Sequence, residues 1–181
     1  VVPQFFAPHD PPTVSLRDRL EPPGHVGRAG FTYMFGSDHL GRDILSRMFY
    51  GARPSLIVGG VGVLLAATIG TMVGVFSGFR RGTIDAIIMR LVDAQLSFPY
   101  IIIAIAWAAL VGSSIFNLVL IVAVRGWVNF ARVARGSALT IRERDYITAS
   151  VAIGTSGSRI LLRHILPNSV APIIVLATLQ L

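Results

Sequence analysis

The residues in this chain that could do chemistry are few and widely spaced. It has four His, nine carboxylates, no Cys, and sixteen basic residues, every one of them Arg. Without Cys there is no thiolate nucleophile and no thiolate metal site. Without Lys there is no phosphate loop of the form G-x-x-x-x-G-K-[ST], and Gly59, Gly60 and Gly62 lie in an apolar run as packing glycines. Asp38, His39 and Asp43 have metal-donor side chains, but their spacing reads as structural and no metal is expected. The remaining candidates are single polar residues inside apolar runs: Gln95, Ser97 and Arg125. Such a residue either lines a pathway for a solute or ion, or reaches for the membrane surface. For Arg125 both readings stay open, with pairing to another subunit as a third. Nothing here calls for bond-making chemistry, so an enzyme is not expected.

The elements that position these residues follow from hydropathy. Hydrophobic residues make up 53% of the 181-residue chain and charged residues only 14%, which is outside the range of ordinary soluble domains. The apolar residues fall into long blocks separated by arginine-bearing stretches, the pattern of membrane spans joined by loops. An all-α polytopic helical bundle is therefore predicted. Its spans lie at about 55–79, 86–111, 115–131 and 168–181, the last too short to cross a core that takes about 20 residues and so read as truncated. Residues 1–54 read as an extracytoplasmic loop and pre-span segment, broken by Pro11-Pro12 and Pro22-Pro23. A short amphipathic helix is predicted over Asp43–Tyr50.

Several features inside the spans bear on packing. Gly70, Gly74 and Gly78 recur every four residues and share one helix face, which lets another helix approach closely in lipid. Arg90 and Asp93 are three apart and can pair along one face. Pro99 is expected to kink the second span.

Orientation comes from the arginines. Arg80, Arg81 and Arg90, then Arg132, Arg135, Arg142, Arg144, Arg159 and Arg163, flank one set of span ends, and the turn 112–114 carries none. Short arginine-rich loops stay in the cytoplasm, so the hydrophilic stretch 132–167 is placed there. Residues 1–54 carry six Arg but lie outside, which long loops tolerate. The net charge of +7 is explained by this topology, and no nucleic-acid partner is expected.

The stretch 132–167 is long for a loop between spans. It reads as two short helices, about Glu143–Ile153 and then to Leu166. Gly154 is the C-terminal cap of the first, Ser156 or Ser158 caps the second, and Pro167 ends it. A helix-turn-helix would have this shape too, but one lodged between two spans has no third helix to complete a DNA-reading domain.

Asp145-Tyr146-Ile147-Thr148-Ala149-Ser150, then Gly154, then Arg163-His164-Ile165-Leu166-Pro167-Asn168 resembles the EAA loop of bacterial ABC importer permeases. The upstream Gly36–Asp43 segment with Ser46-Arg47 is similar to the C-type permease subunits of dipeptide, oligopeptide, nickel and glutathione importers. The resemblance covers about residue 36 to the end and implies a fragment of the type I ABC importer permease fold in the bacterial inner membrane. It implies a second permease subunit, ATP-binding cassette subunits that hold the ATP and Mg, an extracytoplasmic solute-binding protein, and surrounding membrane lipid. It places Asp145, Tyr146, Thr148, Ala149, Ser150, Gly154, His164 and Pro167 at the contact with the ATPase, and implies no cofactor on this chain. Thr148 stands where the family has Glu and Ser150 where it has a second Ala, so an ion pair from position 148 is lost while the small face is kept. A secondary transporter or channel is the alternative reading. It shares the spans and the buried charge, but an inverted repeat, which would mark it, is not visible.

Overall fold

The computed structural model describes residues 14–27, 30–112 and 114–181, so Pro11-Pro12 lies outside the described residues. The chain divides into two compact units, Val1–Ile57 and Val58–Leu181.

In the first unit a 3-10 turn, Leu16–Asp18, precedes a small antiparallel hairpin of β1 (His25–Val26) and β2 (Thr32–Tyr33), which pairs His25 with Tyr33 and Val26 with Thr32. The Gly36–Asp43 segment then folds on its own side chains. Gly36 and Gly41 take φ of +80° and +72°, and a Cβ at either would run into backbone, that of Glu21 or of Ser15. The Asp38 carboxylate accepts the Leu40 amide at 2.8 Å, the Arg42 amide at 3.0 Å and the Arg42 Nε at 2.9 Å, and it also pairs with Arg47. Asp43 accepts the Ser46 amide at 2.8 Å and its hydroxyl at 2.6 Å. That is an N-terminal helix cap, and both carboxylates are used in building the turn.

The helix that Asp43 caps is longer than its sequence pattern suggests. The amphipathic helix predicted over Asp43–Tyr50 does not stop there, because Ile44 opens α1, which runs to Arg80 through Pro54. Proline removes one amide from the ladder, and the Ser55 hydroxyl, one residue on, donates to the Gly51 carbonyl at 3.0 Å.

The second unit is helical. At Arg81, φ +56°, the chain turns, and α2 begins at once, Gly82–Ser97, four residues ahead of the start expected for the second span. Then follow α3 (Tyr100–Val111), α4 (Ile115–Arg142), α5 (Asp145–Ala152), α6 (Gly157–Ile160), a π-turn (Leu161–Ile165), α7 (Leu166–Asn168) and α8 (Val170–Gln180). The helices α1 and α4 are each long and apolar enough to cross a membrane. The pair α2–α3 passes the same test together, though bent by 84°, and so does the continuous stretch Gly157–Asn168 (α6, the π-turn and α7) with α8, bent by 47°. Pro99 thus breaks the second span outright.

The third predicted span ends at about Ala131, but α4 continues to Arg142. Ala134, Ala138 and Ile141 keep the helical spacing of buried residues beyond that point. Arg132 and Arg135 mark a change of polarity and do not end the helix.

The glycine face of α1 sits on α4. A Cβ on Gly70 would strike the Trp127 carbonyl and the Phe130 Cβ, one on Gly74 the Ala131 backbone, and one on Gly78 the Arg135 carbonyl at 2.8 Å. From the other side, a Cβ on Gly126 would lie 2.8 Å from the Ala66 Cβ. Val63, Ala66 and Val75 of α1 pack with the buried Phe130, Ala134 and Ala138 of α4. Val92 of α2 packs with Val128 and Ala131 on a neighbouring strip of α4.

Replacing Gly74 with Val should therefore destabilise the purified protein by about 1–3 kcal/mol, the usual cost of overpacking. Gly59→Ala, which would meet nothing within 4 Å, should leave the melting temperature in detergent unchanged. Equal melting temperatures for Gly74→Val and wild type would show that the helices do not rely on this approach.

Candidate functional site

Three groups of residues are candidates for function, and α4 contributes to all of them. The first lies at the arginine-bearing end of the spans. Asp85 of α2, nearly buried, accepts the Nε of Arg135 at 2.6 Å and its second nitrogen at 2.6 Å, a two-point guanidinium–carboxylate pair. The buried Ser77 hydroxyl of α1 donates to the same carboxylate. One acidic side chain thus joins three helices. Arg142 donates to the Phe79 carbonyl and lies over the Phe79 ring at 5.5 Å, and Arg81 pairs with Glu143 at 2.7 Å. The pairing read between Arg90 and Asp93 is corrected, because Asp93 pairs with Arg132 of α4 and Arg90 is exposed. The packing of α2 against α4 turns Asp93 toward the neighbouring helix. Sequence reasoning missed the Ser77–Asp85–Arg135 clasp. Its signal was an acidic residue next to the Arg80-Arg81 turn, with an arginine left for it to meet at the matching depth of another span.

The second group is the helix pair α5–α6. Ile147, Ile160 and Ile165 are buried with Ala138 and Ile141 and seat the pair on the end of α4. At the end of α5 the Gly154 amide donates to Val151 at 2.9 Å and the Thr155 amide to Ser150 at 3.0 Å. With Gly154 at φ +80°, this is a Schellman cap. Tyr146 and His164 come together, their rings 6.2 Å apart. Asp145, Tyr146, Thr148 and Ala149 are exposed, Ser150 is half-buried and donates to the Tyr146 carbonyl at 2.7 Å, and Val151 and Ile153 project their apolar side chains outward. Ser156 stands at the N-cap of α6 without a side-chain capping bond. Pro167, read as the end of the second helix, is instead the second residue of α7. Its missing amide is absorbed by the π-turn just before it, where Leu166 donates five residues back to Leu161. The break falls at Ser169, whose hydroxyl donates to the Ile165 carbonyl at 2.9 Å.

The third group surrounds the break in the second span. Gln95, Pro99, Tyr100, Arg125 and Asn129 line one concave pocket. The Arg125 guanidinium lies 4.6 Å over the Tyr100 ring. The Gln95 amide donates to the Val124 carbonyl and accepts the Trp127 indole N–H at 2.9 Å. Ser97 does not join this pocket, and its hydroxyl donates back to the Asp93 carbonyl at 2.9 Å.

Long apolar helices meeting backbone to backbone through glycine, with a broken helix between them, define a polytopic helical membrane protein. Residues 70–181 match the family described as binding-protein-dependent transport system inner membrane component. The chain is 39% identical over 177 residues to the probable D,D-dipeptide transport system permease protein of Escherichia coli K12, covering 98% of this chain and 57% of that protein. It is 36% identical over 179 residues to the dipeptide transport system permease protein of Bacillus subtilis 168, covering 99% of this chain and 54% of that one. To the dipeptide transport system permease of Alkalihalophilus pseudofirmus it is 44% identical over 147 residues, 81% of this chain and 48% of that protein. The chain belongs to this family of inner-membrane transport components, the family its motifs resemble, and its helical fold is that of ABC importer permeases. It spans about half the length of the relatives it matches.

Two predictions follow. Asp85→Asn leaves a half-buried Arg135 without its counter-charge. It should cost roughly 1–3 kcal/mol, less than the loss from a fully buried pair. The double change Asp85→Asn/Arg135→Gln should recover part of this in thermal unfolding, and a double change that costs the sum of the two singles would show that the pair is not coupled.

The second concerns pH. Burial alone would raise the Asp38 carboxyl, but the amides of Arg42 and Leu40 and the Arg42 guanidinium outweigh it and hold it well below the usual carboxylate range. A carboxyl depressed by folding stabilises fully above its unfolded value of about 3.9 and loses that contribution only as pH falls through the lower folded value. Acidification to about pH 4 should therefore leave the Leu40 and Arg42 amides protected from hydrogen exchange, whereas Asp38→Asn should expose them at neutral pH. Protected amides in the variant would show that the carboxylate does not hold the turn.

Proposed function

We propose that this chain belongs to the permease subunit of an ATP-driven, binding-protein-dependent importer. It forms part of the translocation pathway for peptides or similar small solutes. The observation that carries this reading is the family match over residues 70–181, which takes in the whole of the α5–α6 helix pair. Relatives covering nearly all of the chain carry dipeptide transport names.

The α5–α6 pair is the coupling element, on the cytoplasmic side. Its inner face is anchored on α4 through Ile147, Ile160 and Ile165. Its outer face presents Tyr146, Ala149 and Ile153, small and apolar enough to lie against a groove in an ATP-binding cassette subunit. ATP and Mg are bound by that subunit and not by this chain. A second permease subunit completes the pathway, and an extracytoplasmic solute-binding protein delivers the solute. Closure of the ATPase dimer moves the coupling elements together and switches the side to which the pathway opens. A secondary transporter or channel would use the same spans but has no need of a protruding helix pair.

The test is co-purification of the full-length protein with ATP-binding subunits from the same source, in detergent. Wild type should retain the ATPase, and Ala149→Arg, on the exposed face, should lose most of it. An ATPase that binds neither form would favour the secondary transporter or channel. Gly154→Val places a β-branched residue at φ +80°. It should cut solute uptake about tenfold or more while the assembled complex still hydrolyses ATP, since an element that couples two sites can fail without either site failing. Unchanged uptake would remove the coupling role of that turn.

A further inference from the structure

The pocket at the break in the second span has a polar element that neither packing nor topology uses. Arg125 lies ten residues into α4, about 15 Å along the helix at 1.5 Å per residue. That is about half of a 30 Å hydrocarbon core. Pro99 is also near the middle of its span, between α2 and α3. The other arginines of α4 are engaged: Arg132 with Asp93, Arg135 with Asp85 and Arg142 with the Phe79 carbonyl. Arg125 has no described carboxylate within ion-pair distance and rests on the face of Tyr100.

The surroundings argue against a lipid-facing arginine. From Arg125 toward the arginine-bearing end, the exposed positions of α4 include Asn129, Arg132, Gly136 and Thr140. They are spaced by three or four residues and so form one stripe, and every member is polar or glycine. The two members inside the apolar stretch, Arg125 and Asn129, are both polar where lipid-facing positions would be apolar, and the stripe they begin runs on without an apolar break beyond the span, which fits a watered pathway. Gln95 is not free to act as a ligand, because both ends of its amide are spent on Val124 and Trp127. It holds the end of α2 against α4 and so keeps Tyr100 under Arg125.

We propose that Arg125, with Asn129 one turn further along α4 and the Tyr100 ring beneath it, binds the terminal carboxylate of a peptide in transit. A guanidinium offers a planar fork of donors that matches a carboxylate at two points. The Asn129 amide adds a neutral donor on the same face, and the start of α3 brings the positive end of a helix dipole to the same place. The aromatic face holds the fork in position without neutralising it. The Asp93–Arg132 pair, two turns along, carries no comparable free charge, so a bound solute is not held there as strongly. This inference rests on the importer reading given above.

The experiment uses the assembled importer in proteoliposomes, with its binding protein saturated by radiolabelled alanyl-alanine or by its C-terminal amide. The quantity read is the ratio of acid to amide uptake, which cancels differences in the amount of active complex. In Arg125→Gln the ratio should fall about tenfold or more relative to wild type, the scale expected when one partner of a charge pair is removed. In Arg125→Lys, which keeps the charge but not the fork, it should fall to an intermediate value, and this variant decides the matter should Arg125→Gln fail to assemble. A wild-type ratio in the variants overturns the site. That includes the case where both peptides slow equally because Arg125 pairs with the second permease subunit. If the wild-type complex moves neither peptide with ATP, the reading of its solute as a peptide of this kind falls and this site with it, a result distinct from an unchanged ratio.

Discussion

The close approach of α1 and α4 is the constraint on which the rest of the second unit depends. Between helices in lipid there is no hydrophobic drive, because the acyl chains are as apolar as leucine, and association rests on packing and on interhelical polar contacts. Gly70, Gly74 and Gly78 bring the α1 backbone against the Trp127, Ala131 and Arg135 backbone of α4. No other residue allows that distance. With the two helices at this spacing, Ser77 on α1 and Arg135 on α4 reach the same carboxylate of Asp85, and the first turn of α2 is held to both.

From that pair the polar contacts are graded by depth. Near the arginine-bearing end they are charge-assisted and mutually satisfied: Asp85 with Arg135, Arg81 with Glu143, Arg142 with the Phe79 carbonyl. Toward the middle of the membrane they become neutral, as in the Gln95 link to Trp127 and Val124. Arg125 departs from the gradient. A cation at mid-depth that a tyrosine ring supports without neutralising is costly to retain, which sets it apart from the structural pairs.

The extension of α4 beyond the apolar stretch links the spans to the α5–α6 pair. Ala134, Ala138 and Ile141 continue the buried stripe of the span, and Ile147, Ile160 and Ile165 close over it. The α5–α6 pair is therefore packed on the same unbroken helix that carries Arg125 and Asn129 some 20 residues away. The break at Pro99 lies on the neighbouring span. There the ladder of hydrogen bonds is interrupted, so α2 and α3 need not move as one.

The sequence by itself determined the class of protein, the four apolar passages, the glycine face of α1, the reversal at Gly154 and the family. Each of these is written in local pattern: hydropathy over about 20 residues, a four-residue repeat, a residue tolerant of positive φ. The sequence also marked Gln95 and Arg125 as out of place, though not that they share a pocket or that Ser97 does not. Only the tertiary structure decided which charges meet. Asp93 could pair with Arg90 on its own helix or with Arg132 on another, and Asp85 had several arginines within reach along the chain. The choice depends on the rotation of α2 against α4, which is set by side-chain packing between segments distant in sequence. Likewise, the end of α4 is decided at Arg142 and not at Ala131, because the helix stays buried on one side after it turns polar on the other. Polarity shows where a chain meets water, and only the partner surface shows how far its helix goes on.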